Sequence, residues 1–163
     1  MTTQPNFRPA RPADMDTIIE IAMLAWEPIY AFRRERLGAD FFERAFPAWR
    51  EAKARELRSL AAEHPENIWV TEEDGRILAF TSFHIDEKRG IGTLGNNAVR
   101  PEAQGRGIGS RQHKAVLELF REKGLVYAVV LTGLDPAHAP ARASYEKMGF
   151  RPMMETVKYY REV

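Results

Sequence analysis

The order of apolar and polar positions along the chain changes period several times, and each change marks an element. Phe7 to Arg11 is short enough for a first strand. Pro12-Ala13-Asp14 suits a helix start, with Asp14 placed to cap the first amides. Ile18, Ile19, Ala22, Ala25 and Trp26 follow at helical spacing. Residues 27–47 are aromatic-rich without a clean period and read as irregular. Ala48 to Glu63 is an alanine-rich, charged helix ended by His64-Pro65. Period-two segments then appear: Ile68 to Thr71, a Glu73-Asp74-Gly75 turn, Ile77 to Ile85, a turn at Glu87 to Gly90, and Thr93 to Val99. Gly107 to Lys123 returns to helical spacing, with Ile108, Ala115, Val116, Leu119 and Phe120 as the buried stripe and Gly124 as its stop. Leu125 to Leu131 is almost wholly apolar, as in a strand buried on both faces. Ala139 to Met148 predicts a short helix closed by Gly149, and residues 150–161 a last extended segment. The pattern predicts an α+β fold, a mixed sheet with helices, in a single domain over residues 1–163.

Composition narrows the function classes. The net charge is +1, which argues against a nucleic-acid partner. The helix at 48–63 mixes Arg50, Lys53, Arg55 and Arg58 with Glu51 and Glu56, the pattern of a solvated face. There is no cysteine, which removes disulfides, thiolate zinc sites and a cysteine nucleophile, and leans toward a cytoplasmic setting. No apolar run approaches the roughly 18 residues of a membrane span, and Met1 to Ala10 lacks the apolar core of a signal peptide. No His-Glu-x-x-His zinc motif or Walker motif is present, so no metal is expected. Gly90 to Gly95 matches G-x-G-x-x-G, but strand and turn follow it instead of a helix, so it is not a dinucleotide fingerprint.

The segment that carries chemistry is Val99 to Gly109. A strand ends, Pro101 turns the chain, and Gln104-Gly105-Arg106-Gly107-Ile108-Gly109-Ser110 leads into a helix. Glycines there let free amides converge on one point at the positive end of the helix dipole, a site suited to a pyrophosphate. The same residues also read as a glycine-rich turn without a ligand.

Gln104-x-x-Gly107-x-Gly109, preceded by Val99-x-Pro101, resembles the acetyl-CoA signature of the GNAT superfamily of N-acetyltransferases. Tyr145-Glu146-Lys147-Met148-Gly149-Phe150 is similar to the closing element of that family, and Arg8-x-Ala10-x-Pro12-x-Asp14 to many of its N-termini. The resemblance covers nearly the whole chain. It implies a mostly antiparallel mixed sheet flanked by helices, acetyl-CoA as co-substrate, and transfer of the acetyl group to an amine of a small molecule or peptide. The alternative on the same fold is an acyl-CoA-binding module without turnover. By resemblance, pantetheine lies along the backbone of Asn97, Ala98 and Val99, in a gap between that strand and the one at 126–131. A bulge there aims an N–H at the thioester oxygen, a donor worth about 2.7–4 kcal/mol in the transition state. Tyr145 resembles the family's general acid; its plain reading is a packed core tyrosine.

Two positions depart from the family. Where many members have Asn, seven residues before the tyrosine, this chain has His138, which reads either as a cofactor ligand or as an exposed turn residue. Where many have a Glu on the strand before the loop, this strand offers only Asn96 and Asn97. His84, on the neighbouring strand, is the candidate base, since an imidazole titrates near neutrality; Glu27, Glu72, Asp86 and a water compete with it. Trp26, Tyr30, Phe32, Phe41, Phe42, Phe46 and Trp49 read either as core or as an acceptor pocket. Dimers are common in the family, so a homodimer fits the resemblance.

Overall fold

A computed structural model describes residues 5–163. Five strands form one sheet in the order β1-β2-β3-β4-β5: β1 Asn6–Pro9, β2 Ile68–Glu73, β3 Arg76–Asp86, β4 Ile91–Val99 and β5 Tyr127–Val130. The first four pair antiparallel and β4 pairs parallel with β5. The described residues also form five α-helices: α1 Met15–Leu37, α2 Ala39–Ala45, α3 Trp49–Glu63, α4 Ile108–Glu122 and α5 Ala139–Lys147.

Helices cover both faces of the sheet. On one face, Ile18, Ile21 and Ala22 of α1 and Leu57 of α3 meet Ile68, Val70, Phe80 and Ala98. On the other, Val116 and Phe120 of α4 and Tyr145 of α5 meet Phe83 and Leu94. The Phe120 ring lies so close to β4 that a Cβ at Gly92 would stand 2.4 Å from it, so only glycine fits there. The end of β4 is tied to α1 by Arg100. Its buried guanidinium holds both carboxylate oxygens of Glu20 at 2.9 and 3.0 Å, and its Nε donates to the Ile77 carbonyl.

Four expectations are corrected. Most of residues 27–47 is helical, as α1 runs to Leu37 and α2 follows from Ala39 to Ala45. Pro28 sits inside α1 on an exposed side, where the Leu24 carbonyl it leaves unpaired can face water, while Ile18, Ile21, Ala22 and Ile29 keep the buried stripe continuous. Asp14 does not cap α1: its carboxylate accepts from the Arg11 amide and pairs with Arg8 at 2.7 Å. The segment at 150–161 forms no strand, and its Met153, Met154 and Tyr159 are exposed. No strand among the described residues pairs with its outer side, so β5 is an edge strand, not one buried on both faces: Tyr127 is 68% and Val129 46% exposed.

Candidate active site

The site forms where β4 and β5 part. They pair only from Ile91 with Tyr127 to Leu94 with Val130, so from Gly95 to Val99 that edge of β4 has no strand beside it. The ladder to β3 slips at the same place. Asn97 faces Thr81 and Leu94 faces Phe83, so Ser82 alone opposes both Gly95 and Asn96. This is a β-bulge, which re-aims backbone groups and side chains locally.

Tyr145 reaches the gap from α5. It is 6% exposed, with Phe150 at 6.0 Å and His113 at 5.3 Å between ring centroids. Its hydroxyl oxygen accepts a 2.9 Å hydrogen bond from Nδ2 of Asn97, leaving the phenolic proton free to be donated elsewhere. Burial pushes the phenol above its ordinary range, against the smaller opposing effect of Asn97, so the group stays protonated. His113 has no hydrogen-bond partner among the described residues at either ring nitrogen, and burial pushes it down to about 4. The tyrosine therefore packs against a neutral imidazole.

The loop at 104–110 lies at the end of the same strand. Gly105 and Gly107 adopt φ of +75° and +74°, conformations that L side chains rarely enter. Gly107 is the residue before α4, and no side chain among the described residues caps that helix end. Its first amides are thus open to an anion, aided by the helix dipole. Gln104 is placed by its side chain, whose Nε2 donates to the Val99 carbonyl at 3.2 Å and pins the loop to β4. Arg106 turns away to the β2–β3 hairpin, where its guanidinium holds both oxygens of Glu73 at 2.6 and 2.8 Å. Ile108 is buried with Leu78, Ala79 and Ala103, anchoring the start of α4; Gly109 and Ser110 are partly exposed beside it.

The other candidates fall in three places. Asn97, Ala98 and Val99 line the parted edge, with Ala98 itself buried. His138 stands before α5, its Nδ1 at 2.6 Å from Oδ2 of Asp135 and its amide donating to Oδ1. Arg142 braces this turn through the carbonyls of Gly133 and Asp135. His84 is exposed and pairs with Thr93. Phe83 and Leu94 share the Tyr145 face, so His84 points to the opposite one, where the His64 ring is 6.4 Å away. Three features escape sequence reading: the Asn97–Tyr145 hydrogen bond, the Arg142 brace, and a cluster of Lys53, Glu56 and Asn96 at the bulge.

A profile of the "Acetyltransferase (GNAT) family" matches residues 25–150. The chain belongs to the GNAT acetyltransferase family. Among curated GNAT relatives, mycothiol acetyltransferase of Rhodococcus opacus is 31% identical over 121 residues, 70% of this chain and 39% of the relative. That of Nocardia farcinica is 35% identical over 91 residues, 55% of this chain and 29% of the relative. This GNAT chain thus spans well under half the length of those proteins. Solved GNAT structures share its fold. Ard1 from Thermoplasma volcanium aligns with a TM-score of 0.70 at 19% identity, covering 93% of this chain and 86% of that one. A GNAT acetyltransferase from Brucella melitensis in complex with acetyl-CoA gives 0.62 at 22%, covering 91% and 84%. Among the described residues of this GNAT chain, no three His, Asp or Glu side chains are grouped to hold a metal ion, and no helix is long and apolar enough to cross a membrane.

Proposed function

We propose that this protein transfers the acetyl group of acetyl-CoA to a primary amine of a small molecule or peptide, by direct attack within a ternary complex. The observation that carries the reading is the protonated, buried Tyr145 hydroxyl at the parted edge of β4, held by Asn97, with the uncapped start of α4 at the end of the same strand. The residues fit acetyl-CoA as the donor. Main-chain amides from Gly105 to Ser110 receive the pyrophosphate, while the free edge at Asn97 to Val99 offers backbone groups to pantetheine. Acetyl-CoA supplies the activated acyl group. Tyr145 gives its phenolic proton to the departing sulfur, and Asn97 keeps the phenol oxygen oriented for that transfer. His84 lies on the other face of the sheet and is the proposed acceptor of the amine proton. His138, fixed by Asp135, is a proposed contact for the coenzyme. With no cysteine in the chain, a thioester-bound enzyme is not part of this scheme.

Calorimetry with acetyl-CoA, followed by release of free CoA in the presence of an amine library, tests the reading. Binding with amine-dependent CoA release is expected. Absence of binding overturns it, and binding without release for any amine assigns the chain to the non-catalytic acyl-CoA-binding class. His84→Ala should lower turnover of any accepted amine at neutral pH; unchanged turnover returns His84 to a surface role.

A further inference from the structure

β4 carries no carboxylate of its own, yet one stands at its bulge. Glu56 reaches there from α3, and its Oε1 accepts from Nδ2 of Asn96 at 2.8 Å. Its Oε2 holds the Lys53 ammonium at 2.7 Å, and that ammonium also donates to Oδ1 of Asn96 at 3.2 Å. The same ammonium lies 4.8 Å over the ring of Trp26 from α1. A primary ammonium thus already sits at the bulge, contacting a carboxylate, an amide oxygen and an aromatic face. Those three groups are the ones that recognise an alkylammonium ion. The Lys53 side chain is only 11% exposed, whereas Glu56 is 51% exposed, so the carboxylate remains open to an arriving ligand. Asn96 and Asn97 point to opposite faces, the first toward α3 and the second toward Tyr145. The cluster therefore lies across the sheet from the proposed acid, at the strand position where the bulge opens.

We propose that Glu56, Asn96 and Trp26 form the binding site for the acceptor's ammonium group, with Lys53 as an internal surrogate that the acceptor displaces. The proposal rests on the acetyl-transfer reading and names its acceptor class: primary alkylammonium compounds, with no anionic group next to the reacting nitrogen. Glu56 is a specificity residue here, and its carboxylate touches the substrate nitrogen. Lys53 competes for the same oxygens, so removing its charge strengthens acceptor binding, whereas removing that of Glu56 weakens it. A merely structural ion pair moves both variants in the same direction.

The probe is n-butylammonium, followed through the Trp26 indole N–H signal in ¹H–¹⁵N NMR of the full chain, beside calorimetry with acetyl-CoA. In Lys53→Met the probe should shift that signal and bind at least ~10-fold more tightly than in wild type, the range of one charge-assisted hydrogen bond. Adding Glu56→Gln should abolish the gain, because glutamine keeps the size and loses the charge. For whichever library amine is turned over, Glu56→Gln should raise KM about 10–100-fold and change kcat less. Acetyl-CoA affinity should be unchanged in every variant. An indole signal indifferent to the probe in Lys53→Met, or weaker probe binding there than in wild type, overturns the proposal. A wild-type chain that binds no acetyl-CoA overturns the parent reading instead, and the probe titration still decides the ammonium site.

Discussion

Replacing His113 by leucine should remove most of one acid-sensitive component of stability. The imidazole is 3% exposed, neither ring nitrogen has a hydrogen-bond partner among the described residues, and burial pushes its pKa from 6.5 to about 4. In the unfolded chain the ring takes up its proton near 6.5, and in the fold only near 4. Between those values the unfolded state holds more protons. Stability with respect to this group is therefore complete above pH 6.5 and falls as pH drops toward 4. At 1.36 kcal/mol per pKa unit the whole effect is about 3 kcal/mol, of which about 2.5 is gone by pH 4.5. Leucine carries no proton and leaves no unpaired buried nitrogen, so at pH 7 its loss of fit is offset by relief of about 1–3 kcal/mol of desolvation. Urea denaturation of both proteins at pH 7 and 4.5 measures the difference, because the two chains differ at position 113 alone. The variant should gain about 2.4 kcal/mol on wild type between the two pH values. A gap that stays constant within about 0.5 kcal/mol, the ordinary limit of additivity, would refute the reasoning.

Three other outcomes follow from the site. Tyr145→Phe should keep acetyl-CoA affinity in calorimetry and lose about tenfold or more in kcat, since it removes only the proton donor; wild-type turnover would return the ring to packing. Gly107→Val puts a branched side chain at φ +74°, a cost of about 1–2 kcal/mol at the start of α4, and should weaken acetyl-CoA about tenfold or more, with unchanged affinity in a folded variant counting against the loop. Asn97→Ala should lower kcat by freeing the phenol, whereas Asn96→Ala should raise the acceptor KM; steady-state kinetics showing the same parameter altered by both would deny that the two faces divide the work.

What could be read from the chain was what is local. The loop at 104–110 announces itself because positive φ and an uncapped helix start are properties of a few consecutive residues. The β2–β3 hairpin, α3 and α4 follow their periods for the same reason. The α1 extension was obscured by Pro28, whose helix-breaking tendency is outweighed by a buried stripe on the opposite side. The apolar run of β5 signals burial, but burial needs a covering strand, and the tail at 150–161 does not supply one. The bulge partners are further from view. Asn97 meets Tyr145 across 48 positions of sequence and Asn96 meets Glu56 across 40, and two asparagines in a strand name neither partner. Glu56 reads as one charge on a solvated face because Arg50, Glu51, Arg55 and Arg58 on the same helix are exposed.

The two asparagines give the site its logic. In a regular strand, neighbouring side chains point to opposite faces, and here the alternation falls at the bulge itself. In the proposed reaction one asparagine orients the phenol that gives up a proton, and the other orients the carboxylate that receives the acceptor's ammonium. A carboxylate and a proton-donating phenol placed on one side would contest the same proton and the same cation, since charges within about 4–6 Å shift one another strongly. With the sheet between them, Tyr145 lies among Phe83, Leu94, Val116 and Phe120 beside a neutral His113, whereas Glu56 faces water next to Lys53. On the proposed scheme, burial keeps the acid protonated on one face, exposure admits the acceptor on the other, and the bulge lies between them.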